Sequence, residues 1–147
     1  MIQAGEKIIL TLWVGGMWAT GYIVAPVLFK MLDKSLAGNI AGQLFTLISY
    51  LGLFSIFFLL ANLLYRDGFH KDHWQLWLLL AMAVLISIGQ FILQPMMAEL
   101  KTVGITELNQ GEFARLHGIS SVLYLINSIA GLALVISGSN YSQSRIS

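Results

Sequence analysis

Four long apolar stretches occupy most of this chain, and its charged residues lie almost entirely in the short segments between them. A helix of about 20 apolar residues crosses the roughly 30 Å hydrocarbon core of a bilayer. The pattern therefore predicts an integral membrane protein with four transmembrane helices at about 7–31, 35–65, 74–101 and 110–137. The connections leave no room for a separate soluble domain, so we expect residues 1–147 to form a single domain.

The composition supports this interpretation and narrows the function. Hydrophobic residues make up 57% of the chain and charged residues 10%, which is unlike an ordinary soluble domain. Because backbone polar groups find no partner in lipid, each span must be helical, and we expect an all-α four-helix bundle. The net charge of +1 without any Lys/Arg run gives no footprint for nucleic acid. The lack of cysteine excludes disulfides, thiolate metal sites and cysteine nucleophiles.

Polar residues mark the predicted helix starts. Asp72 with Gln75, and Asn109 with Glu112, have the spacing of a capping box, so helices three and four should begin there. These two helices, at about 1.5 Å per residue, exceed the hydrocarbon thickness. We expect their shared turn to protrude from one membrane face, carrying Glu99, Lys101, Glu112 and Arg115 into the headgroup region and water.

Membrane orientation is weakly determined by the sequence. Four spans put both termini on one side, and the Lys and Arg residues divide four against four between the two sides. We expect both termini to be cytoplasmic because the free amino group adds positive charge there, in a bacterial inner membrane. Trp13, Trp18, Trp74 and Trp77 suit interfacial or lipid-facing positions.

Polar side chains recur at three- and four-residue steps on helix four, which places them on one face. Antiparallel folding about a turn near Ile105 sets Gln94 level with His117, and Gln90 level with Ser121. The plainer interpretation is that these side chains form hydrogen bonds between helices, each worth about 0.6 kcal/mol. The alternative is that they bind a ligand. The predicted polar interhelical face consists of Gln90, Gln94, His117, Ser120, Ser121, Tyr124 and Asn127.

His117 is the candidate cofactor ligand. His70 and His73 lie in the loop on the opposite membrane side, roughly 30 Å away, so they cannot share a haem with His117 within one chain. Met96 and Met97 lie on the same side as His117, and His with Met suits Cu(I) or haem. We expect no cofactor, with haem or copper bound by His117, Met96 and Met97 as the alternative.

Small residues predict close helix packing. Gly15 would lie level with Gly52 when helices one and two fold about a turn near Asp33. Such surfaces pair helices within a chain or, as the alternative, join copies of the chain in a homo-oligomer. The predicted packing residues are Gly15, Gly16, Pro26, Gly38 and Gly42.

No catalytic constellation is evident, because the apolar cores of the spans contain no Asp or Glu. We predict a non-enzymatic accessory, assembly or scaffold subunit that contacts the lipid bilayer and other membrane-protein subunits. A haem- or copper-binding membrane protein with His117 as ligand is the alternative. A small-solute or metal transporter is the second alternative.

Several short motifs resemble a known family. They read Leu12-Trp13-Val14-Gly15-Gly16, Ala25-Pro26-Val27-Leu28-Phe29, Ala37-Gly38, Ala41-Gly42-Gln43-Leu44-Phe45 and Leu116-His117-Gly118-Ile119-Ser120, with Asn127 later. Over nearly the whole chain they resemble the transmembrane protein 205-like family of small four-helix membrane proteins, which implies mainly an architecture. The chain is more distantly similar to the CopD-like group of copper-uptake proteins and HemJ-type protoporphyrinogen oxidases. That similarity implies only His117 as a ligand, because helix one lacks the histidines those proteins use.

Overall fold

Four helical rods make up the computed structural model, which describes residues 2–67 and 74–143, with side chains over 4–65 and 74–137. Helix 1 and helix 3 each contain one π-helical turn, whereas helix 2 and helix 4 are α-helical throughout. Helix 1 comprises Ile2–Ala19, Thr20–Val24 and Ala25–Met31, helix 2 is Lys34–Asp67, helix 3 comprises Trp74–Ile88, Gly89–Leu93 and Gln94–Val103, and helix 4 is Gln110–Gln143. The all-α fold class predicted from the sequence is confirmed.

Each helix contains a segment long and apolar enough to cross a membrane, with a mean hydropathy between 1.6 and 2.4. Only 17–28% of these segments is buried inside the bundle. Large apolar side chains such as Phe57 and Leu47, exposed by 73% and 66%, therefore point outward. Because water would not tolerate so much apolar surface, lipid must cover it. The chain is a multi-pass membrane protein.

The helices form a closed antiparallel ring in which each packs on the next and helix 4 packs on helix 1. Toward the end that holds the termini, a core of apolar side chains fills the ring. That core consists of Trp13, Val14, Ile56, Leu79, Met82, Ile86 and Leu134. A smaller cluster of Leu93, Met97 and Leu116 joins helices 3 and 4 near the opposite end.

The two π turns stand directly before the two prolines. Thr20–Val24 precedes Pro26, and Gly89–Leu93 precedes Pro95. A proline has no N–H and its ring clashes with the carbonyl four residues earlier, so the wider π turn lets the helix continue. The Ala25 N–H accordingly bonds to the carbonyl of Thr20, five residues back.

The turn between helices 3 and 4 is held by Asn109. Its Oδ1 accepts from the Thr106 N–H and its Nδ2 donates to the Gly104 carbonyl, both at 2.8 Å. Helix 4 begins at Gln110, as the sequence predicts, but Asn109 bonds back into the turn rather than forward to Glu112. The capping box is thus replaced by a bonded turn in which Gly104 has a φ of 91°.

The cap of helix 2 was not predicted. The Leu36 N–H donates to Asp33 Oδ1 at 3.0 Å, which satisfies one of the free donors at a helix start. The predicted capping pair of Asp72 and Gln75 involves a residue outside the described part of the chain.

Candidate binding cavity between the helices

A cavity of about 1150 Å³ lies between the four helices. It runs from Trp13 and Asn127, inside the bundle, to the exposed residues Lys34 and Gln110. These two residues follow the two short turns of the chain, at 32–33 and 104–109. Small-molecule sites usually occupy roughly 300–1,000 Å³, so this space is large enough for such a ligand. The cavity reaches the end of the bundle opposite the termini.

All seven residues of the predicted polar interhelical face line this cavity. Their hydrogen bonds, however, do not form the ladder between helices 3 and 4 that the sequence suggests. Gln94 Nε2 donates to the Gly42 carbonyl on helix 2 at 3.4 Å, and Ser121 Oγ donates to the His117 carbonyl of its own helix at 2.8 Å. The polar face is the wall of a cavity rather than a seam between two helices.

Tyr124 ties helix 4 to helices 1 and 2. Its hydroxyl donates to the Met17 carbonyl at 2.5 Å, and its ring stands edge-on to Phe45, with centroids 4.9 Å apart. A Cβ at Gly21 would lie 2.4 Å from Tyr124 Cε1. The ring fits only because Gly21 has no side chain.

Three buried polar atoms of the cavity lining have no hydrogen-bond partner in the described part of the chain. They are Trp13 Nε1, Ser120 Oγ and Asn127 Oδ1. An unsatisfied buried polar group costs about 1–3 kcal/mol, and a roomy polar cavity can relieve that cost by admitting water or a ligand. Asn127 Nδ2 donates to the Leu123 carbonyl at 3.3 Å. Trp13 Nε1 faces Gly52, which is not part of the wall, whereas Ser120 and Asn127 belong to the polar face.

Two lysines give the cavity wall a positive charge. Lys34 lies at the mouth, and Lys101 Nζ donates to the Gly38 carbonyl at 3.2 Å. The same Nζ lies 5.9 Å from the centroid of the Phe113 ring. No Asp or Glu is found among the described residues that line the cavity.

The candidate cofactor ligands are only partly brought together. His117 and Met97 both line the cavity, and the His117 ring stacks on Phe113 with centroids 6.2 Å apart. Met96 is not part of the wall and is 42% exposed. Within the described ranges, no group of three His, Cys, Asp or Glu residues could hold a metal ion. His70 and His73 lie outside those ranges.

The small residues mainly make room for large side chains. Gly16 contacts Ile48 of helix 2, where a Cβ would lie 3.1 Å from Cδ1, whereas a Cβ at Gly15 would meet nothing within 4 Å. Gly52 faces the Trp13 indole instead of Gly15, and a Cβ there would lie 2.6 Å from Nε1. Gly38, Gly42 and Pro26 all line the cavity.

Trp13 lies in the cavity lining, where the sequence did not predict it. Trp13 is fully buried, so its predicted interfacial or lipid-facing position is wrong, whereas Trp18, Trp74 and Trp77 are exposed. The helical spacing of Trp13 with Met17 and Thr20, all buried, is the signal that could have identified an inward face.

The comparisons with known proteins identify a family. A family model described as "Domain of unknown function (DUF4149)" matches residues 8–106, which include the part of the wall formed by helices 1 to 3. Neither the curated proteins nor the solved structures give a match. Because the family model covers more than half of the chain, this protein belongs to the DUF4149 family.

Proposed function

We propose that this chain is a non-enzymatic membrane protein that takes a small polar solute into its cavity from one membrane face. The observation that carries the proposal is the convergence of seven polar side chains, those of the predicted polar interhelical face, on one space of about 1150 Å³. A helix that only contacted lipid and neighbouring helices would gain nothing from such a wall, since polar groups inside a membrane are expensive.

Labelling of introduced cysteines tests this proposal, and the cysteine-free chain is a clean background for it. Gln90 lines the cavity, while its neighbour Phe91 is 54% exposed on the outer surface and serves as a control of matched depth. In membranes, Gln90→Cys should react with a charged, membrane-impermeant methanethiosulfonate, and Phe91→Cys should not, because a thiol in hydrocarbon does not ionise. Equally slow reaction at both positions would refute a hydrated cavity.

Transport of the solute is a second candidate function. It is favoured by the π turns of helices 1 and 3, since Gly21, Tyr22, Gly89 and Gln90 all belong to those turns and line the cavity. Such turns often mark functional sites. Purified protein in liposomes should then accumulate solute, and Tyr22→Ala should alter the rate. Solute binding without flux would restrict the function to binding.

A haem- or copper-binding role remains a separate proposal, supported by the shared position of His117 and Met97 on the cavity wall. An absorption spectrum and metal analysis of gently extracted protein test it. A Soret band, or stoichiometric copper lost in His117→Ala but retained in Met96→Ala, would favour it. Colourless, metal-free protein would remove it.

Assembly with other subunits or with copies of itself is compatible with solute binding, and the outward apolar faces support it. The bacterial inner membrane, cytoplasmic termini and relationship to the transmembrane protein 205-like family are likewise proposals, the last supported by the motifs at 12–16 and 25–29. If the termini are cytoplasmic, the cavity opens on the membrane face opposite the cytoplasm. A Thr106→Cys variant, at the exposed turn, should then react with impermeant reagent added outside intact cells.

A further inference from the structure

We infer that the solute is an anion with a carboxylate or phosphate group, an inference that rests on the solute-binding function proposed above. The end of the bundle with the two short turns carries equal numbers of cations and carboxylates, namely Lys30, Asp33, Lys34, Glu99, Lys101, Glu107, Glu112 and Arg115. Of these charged residues, only Lys34 and Lys101 line the cavity. The charges are therefore segregated, because the charged residues that line the cavity and its mouth are all cations.

The contacts of Lys101 leave it able to bind an anion. An ammonium group has three donors, and one of them goes to the Gly38 carbonyl. The Phe113 ring attracts the cation from 5.9 Å but cannot neutralise it. Nζ is thus held at the wall with donors free for an oxyanion, which forms charge-assisted hydrogen bonds with ammonium groups.

The helix dipoles do not cancel the positive charge that the two lysines give to the cavity. Helices 2 and 4 begin at this end, at Lys34 and Gln110, whereas helices 1 and 3 finish there, at Met31 and Val103. Opposed helix ends offset one another, so the side chains decide the charge. A cationic solute would find no carboxylate among the described residues of the wall.

The relative labelling rates of two reagents of opposite charge measure the electrostatic potential inside the cavity. Ser121→Cys, in the wall, is labelled with anionic sulfonatoethyl methanethiosulfonate or with its cationic trimethylammonioethyl counterpart, and Thr106→Cys at the exposed turn gives the reference rates. We expect the anionic reagent to be favoured at Ser121→Cys relative to Thr106→Cys. Salt is kept near 0.01 M, where the Debye length is about 30 Å.

Substitution of Lys101 should reduce this preference. Ser121 lies eight residues along helix 4 from Phe113, or about 12 Å. Because Lys101 Nζ lies beside Phe113, this is the approximate distance between the Lys101 charge and Ser121. In a medium of high dielectric constant, a unit charge at that distance raises the rate of the anionic reagent and lowers that of the cationic one, so it changes their ratio by about 3-fold. Lys101→Gln should show this loss, and Lys101→Arg should retain the ratio. Lys30→Gln, which removes a charge at the same end but outside the wall, should reduce the ratio less than Lys101→Gln does.

The results distinguish failure of the anion inference from failure of the proposed solute-binding function. If neither reagent reaches Ser121→Cys while Thr106→Cys reacts, the solute cavity itself is refuted. If both reagents react without charge preference, or Lys101→Gln leaves the ratio unchanged, the anion inference is overturned and the cavity stands.

Protection of the thiol identifies the source of the anion. Labelling of Ser121→Cys that slows relative to Thr106→Cys in the presence of inorganic phosphate would support a soluble anion, and the same relative slowing only in vesicles that contain phosphatidylglycerol would support a lipid headgroup. Both results support an oxyanion site. Labelling that neither probe slows would contradict one.

Discussion

Replacing Gly52 by Ala should destabilise the bundle, mainly through a clash with the Trp13 indole. An ideal Cβ at position 52 would lie 2.6 Å from Trp13 Nε1 and 3.1 Å from both Trp13 Cε2 and Ile86 Cδ1. Trp13 is fully buried and packed against the apolar core, so its ring must shift relative to those neighbours to make room. Overpacking of this kind typically costs about 1–3 kcal/mol. We expect Gly52→Ala to lose that much free energy of unfolding.

Denaturation by sodium dodecyl sulfate in mixed micelles, followed by far-ultraviolet circular dichroism, measures this loss. Gly15→Ala adds the same methyl group where nothing lies within 4 Å, and it should change the free energy of unfolding by less than about 0.5 kcal/mol. In a Trp13→Phe background, which removes the clashing indole atoms, most of the cost of Gly52→Ala should disappear. Equal effects of the two glycine substitutions, or an undiminished cost without the indole, would refute the reasoning.

Three further predictions concern the same packing. Gly16→Ala should cost less than Gly52→Ala, because its Cβ would meet only the movable end of Ile48, at 3.1 Å. Tyr124→Phe removes the bond to the Met17 carbonyl and should cost about 0.6–1.7 kcal/mol by the same assay. Asn127→Leu removes the orphaned Oδ1 and should be nearly neutral for stability while lowering labelling of a cavity cysteine; a large loss of stability would contradict that assignment.

The sequence contained enough information for the helices and for the polar face. Apolar length fixes the spans because lipid leaves no other partner for the backbone. Three- and four-residue spacing determines which side chains share a face, and Ser120, Tyr124 and Asn127, which this spacing groups, all line the cavity. Periodicity alone, however, does not say which neighbouring helix a face will meet.

The rotation of helix 4, the contact of Lys101 and the cavity depend on packing between helices, which no local sequence pattern encodes. Helix 4 is turned so that Tyr124 reaches helix 1, and that rotation requires the space at Gly21. The flexible stem of Lys101 lets Nζ fold inward to the Gly38 carbonyl, a contact that no sequence pattern indicates. A cavity is the volume that such contacts leave unfilled, so it emerges only from the assembled bundle.

A cysteine scan of helix 4 from position 117 to 127 tests the central claim most directly. If this face of helix 4 lines a water-accessible cavity, labelling rates in membranes should peak at the positions that belong to the wall, namely His117, Ser120, Ser121, Leu123, Tyr124, Leu125 and Asn127. They should fall at Gly118, Ile119, Val122 and Ile126, none of which is part of the wall. A flat profile, or peaks at Ile119, Val122 and Ile126, would contradict the account.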